Sequence, residues 1–267
     1  MTRADRIQAD HGPALRTQAK RFGDHEDMNV GHVLGWLAQF SDDDLALGIK
    51  VLETITYYNA TNIRKMTEEM ANLAFDALKK SKLKRAAFVP VGKFGSGSGT
   101  VARVLRESLA KTKHELVDRL DLATSKSGDW DAVVFIEDFS GTGKVLSDWW
   151  LDVESIVRPL GVPVFVGLLV VSPEAHSVIE VFAEVLAVEE LEDSANVLSG
   201  ANSDLSAEQK ERIRHYCEKS GASETFREGF GGCGLLLAFK HGCPDNSLPI
   251  LWHEHQKWSR LFRRSAI

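Results

Sequence analysis

The chain has 267 residues, 43% of them hydrophobic and 26% charged, with 38 acidic against 32 basic side chains and a formal net charge of −6. That balance suits a soluble globular chain with a sizeable core; it excludes a disordered or strongly basic protein and carries no strong nucleic-acid or anionic-membrane signal. No apolar run approaches a membrane span, and Met1-Thr-Arg-Ala-Asp-Arg6 lacks the apolar centre of a signal peptide, so a cytoplasmic location is the expectation. Cys217, Cys233 and Cys243 are odd in number and lack CxxC spacing, which points neither to a disulfide framework nor to a thiolate zinc site.

Residues 1–82 read as an all-helical N-terminal segment. Leu45, Ile49, Leu52 and Ile55 fall at helical spacing behind Ser41-Asp-Asp-Asp44, and Ile63, Met66, Met70, Leu73 and Ala77 repeat the pattern. Lys79-Lys-Ser-Lys-Leu-Lys-Arg85 then reads as a solvated helix end rather than a nucleic-acid patch. Beyond it strands and helices alternate, predicting an α/β core over 83–240 with a parallel sheet flanked by helices. The expected strands are Ala86–Val91, a weak segment near Leu116–Leu122, Val133–Ile136, Val162–Val171, Glu184–Val188 and Gly234–Phe239. Between them, helices are expected from about Thr100 to Ala110, from about Lys144 to Pro159, after the Ser172-Pro-Glu174 start, and from the Ser206-Ala-Glu-Gln209 capping box to about Lys219. An irregular C-terminal tail, 241–267, is expected to pack on the core.

The most informative stretch is Val133-Val-Phe-Ile-Glu-Asp-Phe-Ser-Gly-Thr-Gly-Lys-Val145. A buried strand ends in two acids, and Ser140, Gly141, Thr142 and Gly143 turn into a helix at Lys144. In an open α/β sheet, ligands bind beyond the carboxyl ends of the strands, and the amides of a Gly-rich turn entering a helix form an anion cradle. A phosphate fits the turn, while Glu137 and Asp138 suit sugar hydroxyls or a hard cation such as Mg²⁺. A second Gly-rich segment, Gly92-Lys-Phe-Gly-Ser-Gly-Ser-Gly99, follows the first strand; it is either a second anion cradle or a tight connection. Known nucleotide fingerprints do not fit. A P-loop fails because Asp138 stands where glycine is needed and Val145 where Ser or Thr is needed, and Gly95, Gly97 and Gly99 alternate too strictly for a Rossmann turn.

Val133–Val145 resembles the phosphoribosyl-pyrophosphate (PRPP) motif of type I phosphoribosyltransferases, and the alternation over about 84–190 is similar to that family's fold. The resemblance implies that Glu137 and Asp138 hold the ribose 2′- and 3′-hydroxyls and that Ser140, Gly141, Thr142, Gly143 and Lys144 cradle the 5′-phosphate. Lys93, Phe94, Gly95, Ser96, Gly97, Ser98 and Gly99 would then meet the pyrophosphate. It further implies Mg²⁺ bridging pyrophosphate and ribose, bound through the ligand with Glu137 and Asp138 as the protein carboxylates at hand. Lys93 is its catalytic cation, joined by Lys126 if the Ala123–Asp129 loop matches the family's catalytic loop; a solvated loop lysine is the other reading. Phe239–Trp252, with Trp258 and Leu261-Phe-Arg-Arg264, resembles the tail of phosphoribosyltransferase-like proteins encoded in bacterial conflict and anti-phage systems. The partners so implied are PRPP or a related phosphorylated ribose or nucleotide, with a second copy of the chain or a defence-system protein left open. A PRPP-sensing regulator and a partner-binding effector are the alternatives to an enzyme.

Other residues point less far. His253-Glu-His255 could ligate a metal, but histidines two apart share a face only on a strand, and no third ligand is evident. His241, Asn246 and Trp252 either contact an acceptor or belong to a rigid packed coil with Pro244 and Pro249.

Overall fold

In the computed structural model, which describes residues 2–92 and 97–265, the chain runs α1 (Arg3–Arg21), α2 (Val30–Leu37), α3 (Leu45–Thr54), β1 (Thr56–Tyr58), α4 (Ala60–Lys80), β2 (Ala86–Pro90), α5 (Gly97–Leu109), β3 (Glu115–Leu116) and α6 (Arg119–Thr124). It continues through β4 (Ala132–Ser140), α7 (Lys144–Val157), β5 (Val164–Val171), α8 (Pro173–Ile179), β6 (Glu184–Glu190), α9 (Ala207–Lys219), β7 (Leu237–Phe239) and α10 (Pro249–Trp252). Its contacts form two compact units, Met1–Ala60 with Asp193–Ser265, and Thr61–Glu192. These limits differ from the expected divisions at 82/83 and 240/241, for two physical reasons. The face of α4 that buries Ile63, Met66, Met70 and Ala74 belongs to the sheet unit, whereas the tail shares one apolar core with α1–α3 and α9.

The sheet unit carries the α/β architecture. Five parallel strands lie in the order β3-β2-β4-β5-β6, with Phe88 opposite Val134 and Val134 opposite Phe165 in the central register. β4 and β5 are buried on both faces, which explains their unbroken apolar runs. One face packs Val133, Phe135 and Val166 against Leu146 and Val153 of α7 and Ala175 and Ile179 of α8. On the other, Met70 of α4 comes so close to Gly167 that a Cβ there would lie 3.0 Å from its sulfur, and α5 packs on β4. Helices thus cover both faces. After β2 the chain crosses to β3 on one side, then returns past β2 to build β4, β5 and β6 on the other. The carboxyl ends of β2 and β4 therefore flank a point where the connections diverge, the place where such sheets open a crevice.

The other unit is built around rings. Phe22, Trp36, Phe40, Trp258 and Phe262 are fully buried together, and the indole N–H groups of Trp36 and Trp258 both donate to Ile250 O, at 2.7 and 3.1 Å. The strand expected near Gly234–Phe239 is present but joins no part of the large sheet. It pairs in parallel with β1, Thr56 opposite Leu237 and Tyr58 opposite Phe239. Among the described residues of the N-terminal segment β1 is a strand where helix was expected, and its partner lies some 180 residues on, out of reach of local periodicity. Among the described residues no helix is long and apolar enough to cross a membrane.

Candidate functional site

β4 ends in the acid pair. Glu137 and Asp138 are 7% and 8% exposed, and each is braced by the next backbone amide: Asp138 N donates to Glu137 Oε1 at 3.0 Å and Phe139 N to Asp138 Oδ1 at 2.9 Å. Burial, followed by the adjoining Asp138 carboxylate, raises the Glu137 carboxyl well above the ordinary carboxylate range; amide donors from Asp138 and Ser98 oppose that rise. Two buried acids in mutual hydrogen-bonding reach are satisfied by a shared proton, and they also suit a cation or hydroxyl donors brought by a ligand.

The end of the first Gly-rich segment meets this pair. α5 starts at Gly97, three residues before the expected start, and Ser98, 1% exposed, donates its hydroxyl to Val91 O, closing the loop onto the end of β2. A Cβ on Gly97 would stand 2.0–2.3 Å from the atoms of the Asp138 carboxyl group. Glycine is required there by close approach, since its φ lies outside the left-handed region. Gly99, by contrast, has open space around it. Lys93, Phe94, Gly95 and Ser96, expected at the pyrophosphate, lie outside the described residues.

The second turn is fastened from β5. Ser172 N donates to Ser140 O at 3.0 Å, the Ser172 hydroxyl donates to Gly141 O, and the same oxygen caps α8 by accepting from Ala175 N at 3.0 Å. The Ser-Pro-Glu signal announced the helix cap; the tie to the turn is a tertiary contact that only the fold reveals. Gly143 takes φ +74°, and a Cβ on it would meet the Val178 side chain at 2.8 Å, so conformation and space both demand glycine. The Gly141, Thr142 and Gly143 amides bond to no backbone carbonyl among the described residues, and they head a fourteen-residue helix whose dipole favours an anion.

The PRTase-CE family profile matches residues 33–264. The chain belongs to the PRTase-CE family. That membership agrees with the type I phosphoribosyltransferase-like reading of the core. No curated protein matches. Solved structures with some likeness include the hypoxanthine-guanine phosphoribosyltransferase of Schistosoma mansoni in complex with IMP, at 16% identity and TM-score 0.34, covering 49% of this chain and 63% of that one. The orotate phosphoribosyltransferase of Aeropyrum pernix stands at 18% and 0.30, covering 45% and 68%, and that of Mycobacterium tuberculosis in complex with inorganic phosphate at 16% and 0.32, covering 47% and 71%. The chain thus spans less than two thirds of the first of these, and likenesses at such scores have no bearing on substrate or mechanism.

In this PRTase-CE chain the predicted residues are not all brought together. Glu137, Asp138, Gly97, Ser98 and the Ser140–Gly143 turn gather at the carboxyl ends of β2 and β4. Lys144 opens α7, but its ammonium is paired with Asp148 at 2.7 Å on the surface. Lys126 is exposed in the loop before β4, where its amide donates to Asp129 at 2.6 Å and Asp131 N donates to Arg85 O. That loop lies at the amino end of β4, roughly 17 Å of strand from Glu137. For Mg²⁺ the donor chemistry fits: adjoining carboxylates are hard oxygen donors, and this ion commonly takes one or two of them with its remaining ligands from water and phosphate. No group of three or more His, Cys, Asp or Glu side chains among the described residues converges as a metal site. His253, half of the His253–His255 pair, instead bonds Ser220 O at 3.0 Å.

Proposed function

We propose that this chain binds PRPP with Mg²⁺ and transfers its ribose 5-phosphate group to an acceptor, or to water, with release of pyrophosphate. The observation that carries the reading is the buried Glu137–Asp138 pair at the strand crossover point, set between the Gly97 end of one Gly-rich segment and the amide-lined turn of another. In this reading the two carboxylates accept from the ribose 2′- and 3′-hydroxyls, and the Ser140–Gly143 turn with Lys144 holds the 5′-phosphate. The Lys93–Gly99 segment meets the pyrophosphate. Mg²⁺, when bound with the ligand, neutralises charge on the leaving group. The C1–O bond breaks with its electron pair passing to pyrophosphate, the acceptor's lone pair closes on C1, and the acceptor gives up a proton. Such a step asks the protein for orientation and charge complementarity rather than a nucleophile of its own.

The likeness of the Phe239–Trp252 tail supports a place in a bacterial anti-phage system. A second reading, PRPP sensing without turnover, is favoured by one observation: Lys126, one of the two lysines expected to be catalytic, stands at the other end of β4 from the acid pair. Titration with PRPP and Mg²⁺, followed by assay of free pyrophosphate, distinguishes them. Binding with release supports the transferase, binding alone the sensor, and neither overturns both.

A further inference from the structure

The acid pair occupies one edge of the large sheet; the opposite edge is basic. Lys79 and Lys80 are exposed in the last turn of α4, Lys82, Lys84 and Arg85 are exposed on the turn joining it to β2, and Lys111 and Lys113 are exposed on the turn before β3. By sequence alone the first group reads as a solvated helix end, and the second lies too far along the chain to be joined to it. The fold brings them together. His114 stacks on Phe75 of α4 with centroids 5.3 Å apart and planes 14° from parallel, Ala86 N donates to His114 Nδ1 at 3.1 Å, and Ala87 lies opposite Glu115. Both turns therefore sit side by side at the amino ends of β2 and β3.

The nearby acids, Asp131, Glu115 and Asp76 one helical turn before Lys79 and Lys80, are outnumbered by these seven cations and offset only part of their charge. Asp131 accepts from the amides of Lys84 and Arg85 at 2.7 and 2.9 Å, and Glu115 approaches Arg85 at 3.6 Å. Among the described residues, none of the six lysines has an ion-pair partner. Several unpaired cations crowded on one rim of a chain of net charge −6 form a local field opposite in sign to the whole.

We propose that this rim is a docking surface for the phosphodiester backbone of a nucleic acid, bound without regard to base sequence. Lysine ammonium groups are point charges that suit phosphates. Neither turn carries an exposed large apolar side chain, so the rim lacks both the anchor a bilayer surface requires and the apolar centre of a protein interface. Nor does it offer bases a stacking platform, since Trp130, beneath Arg85, is only 9% exposed. The inference is independent of the PRPP reading.

The test is fluorescence polarisation of the full chain with a labelled RNA 20-mer and a DNA duplex, alongside sedimentation with phosphatidylserine vesicles. If about five phosphates are engaged, affinity for the single strand falls on the order of a hundredfold between about 50 and 200 mM salt. Lys79/Lys80/Lys84→Gln and, separately, Lys111/Lys113→Gln should each weaken binding roughly tenfold and flatten the salt slope, while Lys65→Gln, on an exposed turn of α4, changes neither. Unchanged melting temperatures confirm the folds, and each rim variant tests the proposal without the other. RNA binding alone, or duplex binding alone, supports the surface and names its source. No binding to either nucleic acid at low salt, binding indifferent to both rim variants, or capture by vesicles alone overturns it.

Discussion

Gly97 shows how much a single missing atom can decide. With a would-be Cβ 2.0 Å from the Asp138 carboxylate, Gly97→Ala must push the acid pair or the start of α5 aside. Overpacking of that kind costs about 1–3 kcal/mol, and the variant should melt lower and lose ligand affinity together. Denaturant unfolding of Gly97→Ala beside Gly99→Ala, where space is open, checks this; equal losses would contradict it. Glu137 gives a prediction about pH. Its folded pKa is raised, so the stability it contributes without ligand is fully present below about pH 4.5 and is lost as pH rises through the folded value. Glu137→Gln removes that loss, and its melting temperature should gain on the parent's as pH is raised from 5 to 8. A constant difference would show that Glu137 is already ionised. The acids and the turn were legible in the sequence because strand, acid pair and Gly-rich turn are contiguous. The need for glycine at 97 was not, because it arises from Asp138, forty-one residues away.

At the scale of elements, local chemistry carried the helices and long strands well. Ser206 caps α9 with its oxygen accepting from Gln209 N at 3.2 Å while Gln209 Oε1 accepts from Ser206 N at 3.0 Å, the capping box read from four letters. Ser206→Ala should cost about 1 kcal/mol by denaturant unfolding. Periodicity failed where partners were remote and at the margin of a buried stripe. Leu73, assigned to the inner stripe of α4, is 38% exposed while Ala74 is fully buried. β3 has only two residues, since the weak segment near Leu116–Leu122 gives way to α6 at Arg119, where Asp118 caps a new helix. β1 has three residues in a helical context and is fixed by β7.

For the whole molecule, the chain order of the two units matters: Thr61–Glu192 is one continuous stretch inserted between the two parts of the other. His25, after α1, illustrates how those parts are joined. Its Nδ1 lies 3.0 Å from Lys240 O, and its Nε2 accepts from Arg263 N at 3.0 Å, a pattern that only the neutral ring with a proton on Nδ1 satisfies. Burial lowers its pKa, so its contribution is present above about pH 6.5 and is lost as pH falls through the depressed folded value. A His25→Gln variant should show a flatter melting curve against pH below that point. By the same reasoning a fragment of residues 1–82 should lack a cooperative melt, because Phe22, Trp36 and Phe40 share a core with Trp258 and Phe262. The expected boundary at 82/83 followed a change in sequence pattern, whereas the units follow burial, which pattern alone does not report.

The central claim is that Glu137 and Asp138 hold a ribose beside a phosphate-binding turn, and calorimetric titration of PRPP with Mg²⁺ into the parent and Asp138→Asn tests it most directly. The amide is nearly isosteric but lacks the anionic oxygen, and loss of a charge-assisted hydrogen bond costs about 1.5–3 kcal/mol, roughly ten- to a hundredfold in affinity. The account predicts saturable binding by the parent and that loss in a variant that remains folded. Equal affinity in the two proteins would make the acid pair a strand cap and contradict the assignment.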